Sequence, residues 1–198
     1  MHKYEQLNKM LEDGNGYLFT EDVVAAWISR TYLGKFAAEK GLERVVQGVY
    51  LAPDTWNDEL FILQRAYPDI VFSGETALYL HGLTDREYLH IYVTVPSGFN
   101  RSRLTARGIL VHQEPPQTYT LGITEIQTVF GHSVRAYNKE RCICNLIKER
   151  GKTEVQTYQT AIKTYMRSKD RRLTELAQYA AELNIRDELM KYVEVLVW

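Results

Sequence analysis

The stretch from Thr20 to Leu51 constrains the fold most, because two short helical patterns and a hairpin signal follow one another without a break. Thr20 offers a hydroxyl cap, and Glu21 and Asp22 stand where the positive end of a helix favours carboxylates. This helix is expected to turn Val23, Val24 and Trp27 inward. Ser29 offers a second cap, and Leu33, Phe36 and Ala37 recur at helical spacing until Gly41 stops the run. Two β-rich runs then meet at Gln47-Gly48, a hairpin turn. Helix, turn, helix and ribbon in this order predict a winged helix-turn-helix. Tyr4, Leu7 and Leu11 mark a helix before it, and Tyr17 to Phe19 a short strand. The unit is expected to close near Asp54, giving a first domain of residues 1–54.

Its polar residues point to double-stranded DNA. Ser29, Arg30, Thr31 and Lys35 lie at the start and on the polar side of the second helix, where helix-turn-helix proteins touch base edges. An arginine held bidentate to guanine contributes ~1–3 kcal/mol of discrimination. Lys40, Arg44 and Gln47, at the helix end and on the ribbon, suit phosphates or the minor groove. The alternative is a protein-docking module on which the same residues are merely solvated.

Residues 55–198 form the second expected domain, a mixed α/β region ending in a helical bundle, so the whole chain reads as α+β. A helix is expected from Asp58 to Ala66, a strand at Ile70 to Phe72, and a short helix capped by Ser73 and ended near His81-Gly82. Strands follow at Leu89 to Val95, Ile109 to His112, Glu125 to Val129 and Ser133 to Tyr137, with Pro115-Pro116 as a loop. Beyond Asn138 the period becomes helical, through Cys142, Ile143, Leu146 and Ile147, then Val155 to Tyr165, Leu173 to Ala180, and Leu189, Tyr192, Val193 and Leu196.

The net charge of −1 conceals an asymmetry: residues 139–172 carry ten Lys/Arg against four Asp/Glu. That surplus lies outside the DNA reader, and it marks either a second anionic partner or a solvated helical face. Lys148, Arg150, Lys163 and Arg167 are its candidate surface residues. No apolar run is long enough to span a bilayer, so no membrane partner and a cytoplasmic location are expected. Cys142 and Cys144, two apart in a helical pattern, suit buried thiols rather than a disulfide or metal ligands.

Catalytic patterns are missing from the sequence. A nuclease of the restriction type presents an acid and a lysine as Asp/Glu-x-Lys, and none of the ten lysines has an acid two residues before it. Asp85 and Glu87 are the nearest paired acids, without the Gly-Ser that a nucleotidyltransferase carries ahead of them. His2, His81, His90, His112 and His132 show no metal-binding spacing. No catalytic residue, metal or cofactor is therefore expected. A nucleic-acid-processing enzyme that uses the winged helix for substrate delivery stands as the alternative.

The segments Leu42-x-Arg44-Val45-x-x-Gly48-Val49-Tyr50, Ser73-Gly74-x-Thr76-Ala77-Leu78-x-Leu80-His81-Gly82-Leu83, Tyr92-x-Thr94-Val95-Pro96 and Glu140-Arg141 resemble, in this order, the AbiEi family. These are antitoxins of type IV abortive-infection toxin–antitoxin pairs, a form of phage defence. The resemblance runs from Thr20 to about Ala181, departing at Glu75-Thr76, where the family often has a small residue and serine. It implies a repressor that binds inverted repeats at its own promoter and counters a nucleotidyltransferase toxin without a stable complex.

Overall fold

The computed structural model describes residues 2–196, with side chains described through Lys191. The chain divides into two compact units, Met1–Pro68 and Asp69–Trp198.

The first unit runs α1 (Lys3–Asp13), β1 (Tyr17–Phe19), α2 (Thr20–Ala25), α3 (Arg30–Lys40), β2 (Glu43–Val46), β3 (Val49–Leu51) and α4 (Glu59–Ala66). Its antiparallel sheet has the order β1-β3-β2. Leu7, Leu18, Val23, Ile28, Leu33 and Phe36 form one buried cluster, and Tyr17, Val49, Leu51 and Ile62 a second. Gly41 ends α3 in the left-handed conformation, as a C-cap glycine does. Opposite β3, Val45 is an extra residue between Arg44 and Val46, a bulge that bends the hairpin.

Three expectations change here. Phe19, not Thr20, is the N-cap of α2, and no side chain caps it; Thr20 is already helical. Of the three residues expected inward only Val23 is buried, whereas Val24 is 44% and Trp27 91% exposed. The helix ends at Ala25, and the backbone of Trp27 turns left-handed (φ 60°), which carries the indole outward. The unit also extends to Pro68 rather than Asp54. Ile62 of α4 belongs to the second cluster, Arg65 pairs with Asp22 at 2.7 Å, and the Tyr17 hydroxyl donates to the Trp56 carbonyl at 2.5 Å. These contacts hold α4 to the first unit.

The second unit continues with β4 (Val71–Phe72), α5 (Gly74–Leu80), β5 (Tyr92–Pro96), α6 (Ser102–Thr105), β6 (Leu110–Glu114), α7 (Pro116–Tyr119), β7 (Ile123–Gln127) and β8 (Ser133–Tyr137). Four helices close it: α8 (Lys139–Lys148), α9 (Val155–Arg167), α10 (Leu173–Glu182) and α11 (Arg186–Leu196). The side chains of Tyr192, Val193 and Leu196, expected on the last apolar face, lie outside those described. The mixed sheet has the order β6-β5-β4-β8-β7. β4 pairs antiparallel with β5 and parallel with β8, while β5 and β6 run parallel. β5 begins at Tyr92 rather than Leu89, which is 82% exposed. Pro115 caps the short helix α7 with Pro116 at its first position, where proline has no helical N–H to forfeit. The architecture is α+β.

Helix α8 is the hub of this unit, packing against α5, α9, α10 and α11. Seven of its residues are buried, among them Glu140 and Arg141 as well as both cysteines. Burial pushes both thiols up, Cys144 to about 12, which leaves them protonated and inert at neutral pH.

Candidate functional site

In the first unit the exposed face of α3 and the β2–β3 hairpin hold every residue expected to meet DNA. Leu33, Phe36 and Ala37 anchor α3 in the core, which leaves Arg30, Thr31, Gly34, Lys35 and Ala38 on the opposite, exposed side. Ser29 does the work of a cap: its Oγ accepts from the Tyr32 N–H at 3.3 Å, so its hydroxyl is engaged within the helix. Lys40 is exposed at the far end of α3, with Nζ 5.5 Å from the centre of the Tyr4 ring. Arg44 and Gln47 are exposed on the hairpin, and the turn at Gln47-Gly48 is made by Gly48 at φ 89°. The helix and the hairpin thus present separate cations. Sequence reasoning missed Trp27, which stands exposed ahead of Ser29, because apolar periodicity scores any tryptophan as inward.

The second unit contains a cavity of about 350 Å³. It opens between the start of α5 (Ser73, Gly74, Glu75), strands β5 and β6 (Tyr92, Thr94, His112, Glu114) and the end of α8 (Asn145, Lys148, Glu149). Gly74 is required at its position twice over: its φ is 51°, and a Cβ there would meet the Tyr92 ring at 2.8 Å. Ser73 does not cap α5 with its side chain; it accepts instead from the Thr94 hydroxyl at 3.0 Å. His81 ends α5 and places Nε2 2.7 Å from the Tyr137 carbonyl, which can only accept, so Nε2 carries the proton. Burial holds this imidazole below its ordinary pKa.

Beneath the cavity Glu114 meets the fully buried Arg141. Nη2 of Arg141 lies 3.3 Å from Glu114 Oε1 as an ion pair. Its Nη1 donates to the Thr118 carbonyl at 2.6 Å and its Nε to Asn145 at 2.9 Å, with Cζ 4.6 Å from the Tyr137 ring centre. Burial pushes the Glu114 carboxyl up, but the Thr118 hydroxyl, Arg141, Lys148 and His112 outweigh it and hold the group below its ordinary range. Apolar periodicity does not reveal this pair, since it assigns charged residues to solvent.

Of the expected basic surface, Lys148 is exposed and lines the cavity. Arg150 is exposed with Cζ 5.8 Å from the Tyr158 ring, and Lys163 and Arg167 are exposed one turn apart on α9, away from the cavity lining. The basic block is partly spent on structure: Arg141 is buried, Lys139 pairs with Asp170 and Arg172 with Glu175, each at 2.7 Å. Among the described residues no group of His, Cys, Asp and Glu is placed to hold a metal ion. No described helix is long and apolar enough to cross a membrane.

No family model matches the chain, and no curated protein matches it. The crystal structure of the RV2827C protein from Mycobacterium tuberculosis is similar, with a TM-score of 0.53 at 12% identity over 95% of this chain and 78% of that one. At that identity the likeness is one of fold.

Proposed function

We propose that the chain is an antitoxin and transcriptional autorepressor of the AbiEi type, without catalytic activity of its own. Its first unit, read as a winged helix, binds inverted-repeat DNA at its own promoter. Its second unit counters a nucleotidyltransferase toxin in the cytoplasm without a stable complex. One observation supports the DNA-binding part above all: α3 is anchored by Leu33, Phe36 and Ala37 while Arg30, Thr31 and Lys35 stand exposed beside a hairpin carrying Arg44 and Gln47. Arg30 and Lys35 read or grip the duplex, and Arg44 and Gln47 of the hairpin hold phosphates. The antitoxin part rests on the family resemblance, with Lys148, Arg150, Lys163 and Arg167 as its working surface.

The test uses the full chain and the neighbouring gene. Arg30→Ala with Lys35→Ala abolishes repression of a promoter reporter and still rescues growth when the toxin is expressed. Glu at Lys148, Arg150, Lys163 and Arg167 together impairs rescue and leaves promoter binding intact. A promoter duplex bound equally by wild type and the Arg30/Lys35 variant removes α3 as the reader. A folded fourfold variant with full rescue removes the basic surface from the antitoxin role.

A further inference from the structure

Two exposed residues beside the reading face run against the preferences of their own backbone. Trp27 occupies the position after the C-cap of α2: its N–H donates to the Val24 carbonyl at 3.0 Å, and the Ile28 N–H to the Val23 carbonyl at 3.1 Å. This is a Schellman ending, whose left-handed residue is usually glycine. Here it is a tryptophan at φ 60° with 91% of its surface exposed, so packing against the chain does not account for the indole. Gly34 shows the reverse. It sits inside α3, where glycine is a poor helix former, and a Cβ added there would meet nothing within 4 Å beyond its chain neighbours and the backbone of its own helix. Among the described residues no neighbour requires a glycine there. The largest residue stands where folding favours glycine, and glycine stands where folding favours almost anything else.

Both departures lie on the surface proposed to meet DNA. Trp27 comes two residues before Ser29, at the end of α3 that carries Arg30 and Thr31. Gly34 follows Arg30 by four residues and so lies over it, in the middle of the exposed face. A bare backbone at the centre of that face allows close approach of a ligand surface. An aromatic plate at its entrance, with an indole N–H to donate, suits a sugar–phosphate strand flanking the groove. Resting on the DNA-binding reading above, we infer that Gly34 and Trp27 form one duplex-contacting device: α3 seats its backbone at Gly34 against the groove while the Trp27 indole packs on the adjoining strand.

The test is a pair of variants, Trp27→Gly and Gly34→Leu, titrated by anisotropy against a labelled duplex from the region upstream of the gene. Each should keep or raise the thermal midpoint of wild type, because each restores the residue class its backbone prefers. Each should also weaken binding on the order of tenfold, the scale of one lost aromatic or close-packed contact. Tryptophan emission of wild type should shift on adding duplex, and most of that shift should vanish in Trp27→Phe. Stable variants with wild-type affinity overturn the inference and leave the DNA reading standing. A wild-type chain that fails to bind the duplex overturns both. Concentration-dependent self-association that Trp27→Gly abolishes, with duplex affinity unchanged, assigns the surface to a second copy and also overturns it.

Discussion

Arg141→Ala offers the sharpest test of how the second unit is held together. The guanidinium is completely buried and ties α8 to the Thr118 carbonyl and to Glu114, while its Nε donates to Asn145 one turn along the same helix. Truncation leaves the Glu114 carboxylate, itself 8% exposed at the side chain, without its buried counter-charge. Breaking such a pair from one side costs about 3–5 kcal/mol. With an unfolding entropy of roughly 2.1 cal/mol/K per residue over the second unit, each kcal/mol lowers its midpoint by about 4 °C, so the expected drop is about 10–20 °C. Differential scanning calorimetry reads it directly. The double variant Arg141→Met with Glu114→Gln removes both charges while keeping volume, and it should recover a substantial part of the loss. A loss in Arg141→Ala below about 1 kcal/mol, or a double variant as unstable as the sum of Arg141→Met and Glu114→Gln measured singly, would refute the view that unpaired buried charge dominates.

Three further outcomes are expected. Gly74→Ala should cost at least about 2 kcal/mol in urea unfolding, from a left-handed alanine plus a methyl against Tyr92; an unchanged midpoint would show that the α5 start relaxes freely. Ser29→Ala should destabilise the first unit by about 1 kcal/mol through the lost cap, and a cost near zero would free the hydroxyl for a ligand role. Because the folded pKa of Glu114 is depressed, its contribution to stability is present above the ordinary carboxyl value of 4.5 and is lost as pH falls through the lower folded value. Glu114→Gln should therefore flatten the acid limb of the urea midpoint against pH, and an identical limb in both proteins would assign it to other groups.

The helix–hairpin succession of the first unit was legible because each element announces itself locally: Ser29 as a cap, Gly41 as a stop, Gln47-Gly48 as a turn. Trp27 was misread for the same reason. Apolar spacing carries no information about a single left-handed residue that rotates a side chain out of the helix frame. Asp54 passes for a boundary because Pro53-Asp54 looks like a break, yet Ile62 and Arg65 of the next helix return to the first unit. In the second unit most strands can be found from residue type, but not their order. The parallel β5–β6 and β4–β8 pairings depend on partners far apart in sequence. The cavity floor is invisible for a related reason, since Glu114 and Arg141 read as solvent-facing charges until the two elements carrying them meet.

The short strand β4, placed at the middle of its sheet, has a consequence for how the chain is made. Phe72 pairs with Ala136, 64 residues along the chain, so the central strand gains its second neighbour only after β5, β6 and β7 have been synthesised. The first unit, with every strand partner inside residues 1–68, can complete its pairing while the second is still emerging from the ribosome. Until β8 arrives, one edge of β4 remains open to the wrong strand. Translation that pauses before Ser133 would thus leave a finished first unit tethered to a half-built sheet, and the nascent second unit is where chaperones should act.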